Sequence, residues 1–248
     1  MELGLSGKTA AVAAASRGLG YASAAALMAE GATVAICGRD RTRIEAAARL
    51  LGPSAIPLVA DVSKLDGARA FADAASVALG HVDVLVTNTG GPPAGRFADT
   101  PAEAYAAAFE SMCTGAIAMC ETLVPPMRAR GWGRVVAITS VAVRQPIATL
   151  ILSNTARAGL TGFLKTLATE VASDGVTVNS VQPGLHATER LRELHGDDLA
   201  ATAAPIPTRT VGSPDDFGAV VAFLSSDHAK FITGAAIPVD GGANGGLQ

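Results

Sequence analysis

Short apolar runs alternate along this chain with longer segments of helical spacing. That alternation constrains the fold more than any other feature. Thr9–Ala14, Thr33–Cys37, Ala55–Val59, Val82–Thr87, Arg134–Ile138, Thr177–Val181 and Ala236–Val239 read as strands. Helices are expected over Gly20–Glu30, Arg41–Leu51, Leu65–Leu79, Pro101–Arg130 with an interruption at Pro125–Pro126, Leu152–Asp174 and Pro214–Ser225. Strands separated by helices of about ten residues or more build right-handed βαβ units and a parallel sheet. The strands are apolar without strict alternation, as a sheet covered by helices on both faces requires. The expected class is therefore α/β.

Composition narrows the function classes. The 248 residues are 49% hydrophobic and 17% charged, too apolar for a disordered chain. Nineteen Lys and Arg stand against 22 Asp and Glu, a net charge of −3, with no basic patch, so no nucleic-acid partner is expected. Apolar stretches break before the ~18 residues a membrane span needs, and Met1–Lys8 lacks the form of a signal peptide. A cytoplasmic location is expected. Cys37, Cys113 and Cys120 show no CxxC spacing, so neither a disulfide framework nor a metal site is expected. Residues 1–248 read as a single domain without a linker. The polar, proline-containing stretch 183–214 reads as a substrate lid.

The turn after the first strand is Ser16-Arg17-Gly18-Leu19-Gly20, preceded by Ala14. Small residues at a strand-to-helix turn let the backbone approach a pyrophosphate, which the helix N-terminus then attracts. The second strand ends at Gly38-Arg39, nineteen residues past Gly20, where an NAD site carries an acidic residue. An arginine there clamps a 2′-phosphate, and Arg17 points the same way, so NADP(H) is favoured over NAD(H). The other reading is a pair of solvated arginines. Asp61-Val62 and Asn88-Thr89-Gly90-Gly91 follow the third and fourth strands, on the edge where open α/β sheets bind ligands.

With Ser140, Thr177–Val181, Pro183-Gly184, Thr233-Gly234 and Val239–Gly242, these pieces occur in an order that resembles the short-chain dehydrogenase/reductase family over essentially the whole chain. The group resembled is that of the 3-oxoacyl-[acyl-carrier-protein] reductases. The resemblance implies a doubly wound Rossmann domain with a seven-stranded parallel sheet, an oxidoreductase reaction, and a homo-oligomer, tetramer or dimer. It also implies that Asp61 and Val62 hold the adenine and that Asn88, Thr89 and Gly90 pack near the adenosine ribose. Pro183, Gly184, Leu185 and Thr188 would contact the nicotinamide half.

The family reaction uses a serine, a tyrosine, a lysine four residues after the tyrosine, and a supporting asparagine. Ser140 stands at the serine position. Thirteen residues on, at the tyrosine position, is Ser153, and four later Arg157 replaces the lysine. Met112 falls at the asparagine position. The two tyrosines, Tyr21 and Tyr105, both miss the proton donor's place. A serine hydroxyl is a far weaker acid than a tyrosine at ~10, and an arginine above ~12 cannot shuttle protons near neutrality. The expected site is Ser140, Ser153 and Arg157, with Arg157 also gripping the cofactor ribose and with Gln145 and His186 lining the substrate. Arg144 and His195 are weaker candidates. Three readings stay open: an NADP(H)-dependent carbonyl reductase, a non-redox isomerase or lyase on the same fold, and a non-catalytic dinucleotide-binding protein.

Overall fold

The computed structural model describes residues 1–246. Seven strands form one parallel sheet: β1 (Thr9–Val12), β2 (Thr33–Gly38), β3 (Ala55–Val59), β4 (Val84–Thr87), β5 (Gly133–Ile138), β6 (Val176–Pro183) and β7 (Ala236–Val239). Their order across the sheet is β3-β2-β1-β4-β5-β6-β7, with every pairing parallel. The chain moves outward from β1 to β3, then returns to the middle and runs out the other way from β4. Where that direction reverses, the loops after β1 and β4 part and leave a crevice at the carboxyl ends.

The helices are α1 (Gly18–Ala29), α2 (Arg41–Leu51), α3 (Leu65–Leu79), α4 (Glu103–Phe109), α5 (Gly115–Arg130), α6 (Ile151–Val171), α7 (Glu189–His195), α8 (Leu199–Ala203) and α9 (Pro214–Leu224). Successive strand residues point to opposite faces. Ala11, Ala35, Leu85, Val135 and Val178 face a core shared with α3, α5 and α6, built on Phe71, Met119, Leu123 and Leu160. Ala10, Val34, Val84 and Val136 face the other core, with Leu27 of α1, Ile44 of α2 and Phe217 of α9. Burying each of these large side chains contributes about 1.5–3 kcal/mol. The sheet is covered on both sides, which is why its central strands carry no polar alternation. Caps place the helix starts: the Asp40 carboxylate accepts from Arg43 N at 2.9 Å, and Ser213 caps α9 ahead of Pro214.

The helical run from Glu103 to Arg130 departs from expectation. It passes through Pro125 and Pro126 without a break. Both prolines lie on the exposed side, and of the residues whose carbonyls lose their donors Glu121 is exposed and Thr122 half-buried. The irregularity lies instead at Glu110–Thr114, a π-helical turn between α4 and α5 that directs Met112 and Cys113 inward. At 28 residues this run is long and apolar enough to cross a bilayer, contrary to the sequence expectation. Here it is a core helix, with Met112, Met119, Leu123 and Met127 buried.

Candidate active site

The turn from β1 into α1 is held by three contacts. Asn88, just past β4, donates from Nδ2 to the Ala14 carbonyl at 3.2 Å. Cys37, at the end of β2, accepts at Sγ from Ala14 N at 3.4 Å, and burial pushes its thiol up to about 12, so it packs rather than reacts. Gly20 sits under both: a Cβ there would lie 2.6 Å from the Ala14 carbonyl oxygen and 2.8 Å from Asn88 Nδ2. Ala14 has φ 48° and Gly18 φ 63°, both in the left-handed region. An alanine at position 14 therefore strains the backbone as well as carrying a methyl group that a glycine would lack. No side chain caps α1, so its first-turn N–H groups remain available to an anion.

Arg39 is exposed immediately past β2 and makes no ion pair among the described residues. Asp61 follows β3; hydrogen bonds from Ser63, led by its hydroxyl at 2.7 Å, hold the carboxyl below its usual range, and the charge of Arg39 assists. Val62 beside it is buried. The Thr89 hydroxyl donates to the Gly90 carbonyl at 3.1 Å, shaping the turn after β4. An uncapped helix start, a glycine cradle that a Cβ would fill, an unpaired arginine and an ionised aspartate on one sheet edge fit a dinucleotide with an extra phosphate.

Arg17 is placed differently from expectation. Its guanidinium pairs with Glu189 and, at 3.6 Å, with Glu193, both on α7. Two carboxylates compensate its charge, which leaves Arg39 as the unpaired cation at this end. Arg190 of α7 also donates to the Pro92 carbonyl at 3.2 Å. A Cβ on Gly18 would lie 3.8 Å from the Thr188 methyl, so the segment after β6 closes against the glycine turn. Thr188 itself caps α7 by accepting from Leu191 N at 3.3 Å. Gly184 N donates to the Val239 carbonyl, and the Leu185 carbonyl accepts from Gly212 N, both at 2.9 Å, fixing the backbone that follows Pro183.

At the other end, Ser140 follows β5 and caps a 3₁₀ turn over Val141–Val143, with Oγ accepting from Ala142 N at 3.1 Å. Ser153 and Arg157 lie one turn apart on α6, both buried. Arg157 donates from Nη1 to the Ile138 carbonyl at 2.9 Å, which ties α6 to the end of β5 two residues before Ser140. No carboxylate pairs with Arg157 among the described residues. Burial alone pushes its guanidinium down to about 10, so it remains a cation at neutral pH. Met112 is buried against Leu152 and Ala156, and Tyr105 packs on the same cluster. Tyr105 is thus nearer α6 than its place along the chain suggested.

Two residues expected at the substrate rim, His186 and Arg144, are tied to neighbouring protein groups. The His186 ring is buried: it meets Phe217 edge-on at 5.1 Å between centroids, and a Cβ on Gly212 would press on it at 2.7 Å. Its Nδ1 lies 3.3 Å from the Gly184 carbonyl. Burial lowers its basicity. These contacts make it a packing residue rather than a substrate ligand. Arg144 stays exposed and is tethered by donating to Gln182 Oε1 at 2.8 Å and to the Ala236 carbonyl at 2.6 Å. Gln145 stays exposed and accepts from Gly245 N at 3.2 Å, bringing the last described residues to this rim. The side chain of His195 lies outside the described residues.

Residues 13–244 match the family model described as enoyl-(acyl carrier protein) reductase. The chain is 32% identical over 240 residues to 3-oxoacyl-[acyl-carrier-protein] reductase of Vibrio cholerae, covering 97% of this chain and 98% of that one. Among solved structures, L-sorbose reductase from Gluconobacter frateurii complexed with NADPH and L-sorbose superposes with a TM-score of 0.93 at 32% identity, covering both chains in full. An NADPH-bound short-chain oxidoreductase from Pseudomonas aeruginosa PAO1, described as containing an atypical catalytic center, superposes with a TM-score of 0.90 at 30% identity. That match covers 97% of this chain and 98% of that one.

Proposed function

This chain belongs to the short-chain dehydrogenase/reductase family, and from that premise we propose that it is an NADP(H)-dependent reductase of a carbonyl group on a small or acyl-type substrate, acting through Ser140, Ser153 and Arg157. The observation that carries this reading is the docking of Arg157, an unpaired buried cation, beside Ser140 at the carboxyl end of β5. NADPH-bound relatives and the unpaired Arg39 support the choice of cofactor.

When bound, the nicotinamide supplies hydride. The chain's part is to hold the carbonyl oxygen and stabilise the negative charge that develops on it. The hydroxyls of Ser140 and Ser153 donate to that oxygen. Arg157 lends positive charge in a buried setting, where screening is weak, and holds a ribose hydroxyl or a substrate carboxylate. None of the three is an acid suited to neutral pH, so the proton comes from water. Residues 183–214 act as the lid, latched through Arg17 and Arg190. The protein works as a cytoplasmic homo-oligomer of single-domain chains.

The test is NADPH absorbance at 340 nm against a panel of ketones, oxoacids and 3-oxoacyl thioesters. We expect oxidation with at least one class, and faster oxidation with carboxylate-bearing members. Tight NADPH binding with no oxidation across the panel overturns the reductase reading. The burial of Met112 where a polar residue would support a proton relay favours a second reading, an isomerase or lyase that keeps the cofactor bound. It is distinguished by product formation with no net change in NADPH.

A further inference from the structure

Arg144 and Lys165 face one cavity of about 230 Å³ between α6, β6 and β7, lined also by Thr161, Ser180 and the backbone of Gly234–Ala236. Among the described residues, no carboxylate lines it. Both cations are exposed at its mouth and, among those residues, meet only neutral acceptors. Arg144 donates to Gln182 and to the Ala236 carbonyl, and Lys165 donates to the Gly234 carbonyl at 3.0 Å. Val178, Ser180 and Gln182 share one face of β6 by the two-residue period of a strand. The first two line the cavity, and Ser180 is 2% exposed. Gln182, next along that face, is fully buried and lies outside the cavity lining, where its Oε1 anchors Arg144.

Two cations with no carboxylate partner among the described residues and the Ser180 hydroxyl, which makes no hydrogen bond among them, thus converge on one cavity. The cavity is smaller than the ~300–1,000 Å³ of a drug-sized ligand site and several times the ~30 Å³ of a water. It therefore suits a small oxyanion, not a nucleotide or an acyl chain. It also lies behind the chemistry. Thr161 donates to the Arg157 carbonyl at 2.9 Å, and Arg144 directly follows the turn that Ser140 caps.

We propose that this cavity is a binding site for a small oxyanion, a carboxylate or a phosphate, held by Arg144, Lys165 and Ser180 and distinct from the cofactor crevice. The experiment is calorimetric titration of inorganic phosphate, and separately of malonate, into protein saturated with NADPH, so that neither anion can enter the glycine turn. We expect saturable one-to-one binding of at least one anion, and the anion that binds identifies the ligand's chemistry. Lys165→Met should weaken it by at least about tenfold, as the loss of a charge-assisted contact requires, Ser180→Ala by less, and Lys165→Arg should restore most of it. Thermal unfolding without anion checks that each variant is folded. Absence of saturable heat with both anions, or binding unchanged within about twofold in Lys165→Met and Ser180→Ala alike, overturns the proposal.

Discussion

Around the turn between β1 and α1, the groups that can meet a ligand are mostly backbone N–H groups at the start of α1. Around Ser140 they are three side chains. The difference decides how much substitution each end tolerates. A backbone site survives a change of residue as long as the chain path survives, and Ala14 occupies a family glycine position while Gly18, Gly20 and Asn88 still shape the turn. A side-chain site changes its chemistry with each replacement. Ser153 and Arg157 lie four residues apart on α6, and in the reading proposed above they offer a weak donor and a fixed cation. On that reading one end of the crevice rests on backbone geometry and the other on the choice of two side chains.

The largest expected effect breaks the comparison at its side-chain end. Arg157→Met removes the buried cation that α6 docks on the Ile138 carbonyl, two residues before Ser140. Buried charge stabilisation is worth several kcal/mol in a developing anion, so kcat/KM for NADPH oxidation should fall by about 100-fold or more. Stability should move the other way. Holding this guanidinium in the charged form while burial lowers it to about 10 costs the fold on the order of 3 kcal/mol. The unfolded chain binds the proton more tightly, so the penalty is full below about pH 10 and is relieved as pH rises above that value. Arg157→Met should therefore unfold at equal or higher temperature than wild type at pH 7 while losing activity. A variant that loses Tm along with activity would mean that Arg157 holds α6 on β5 and does little else.

Next comes Arg39, which tests the cofactor end. Because Arg17 is already paired with Glu189 and Glu193, the proposed reading assigns recognition of the 2′-phosphate to Arg39. Arg39→Asp should weaken NADPH binding by about 10–100-fold, the worth of a charge-assisted contact, and leave NADH unchanged or improved. Fluorescence titration with both cofactors reads this directly. Equal losses for the two would show that the substitution damaged the crevice rather than its choice of phosphate. Arg17→Ala should change the NADPH preference far less and should loosen α7, seen as faster amide exchange over Glu189–His195.

These variants also mark what the sequence could and could not convey. The seven strands and the spacing from Ser140 to Ser153 and Arg157 are local or periodic features, so they are visible in the order of residues. The partners of Arg17 are not, because Glu189 lies 172 residues away and nothing near either residue signals the pairing. The path of the Glu103–Arg130 helix is hidden from the sequence for a related reason. A proline breaks a helix when its freed carbonyl is buried, and burial at Glu121 and Thr122 is a tertiary property. His186 likewise looked like a site residue by its distance from Gly184. Its ring is claimed by Phe217, thirty-one residues on, and by the close approach of Gly212.

His186 supplies a smaller, pH-dependent effect. Burial lowers its basicity in the folded protein, so the unfolded chain binds a proton more readily. Its contribution to stability is full above about pH 6.5 and is lost as pH falls through that value and below. His186→Leu, which keeps an apolar contact to Phe217, should flatten the fall in Tm on the acid side of pH 6.5 while leaving NADPH oxidation at pH 7.5 unchanged. Loss of turnover at constant stability would return His186 to the substrate site.

The smallest effect sharpens the comparison at the backbone end. Ala14 has φ 48°, a conformation that costs an L-residue roughly 1–2 kcal/mol and a glycine little. Glycine also raises the entropy of the unfolded chain, which offsets about 0.4–1 kcal/mol of that relief. Ala14→Gly should therefore stabilise the protein by at most about 1 kcal/mol, a rise of a few degrees or less in Tm for a chain of this length. The Ala14 carbonyl would still accept from Asn88, and Ala14 N would still donate to Cys37, because both contacts belong to the backbone. NADPH affinity should accordingly stay within about twofold. If the affinity instead rises tenfold, the methyl group was holding the turn away from the phosphates, and the backbone end of the crevice is as sensitive to a single side chain as the end that carries Arg157.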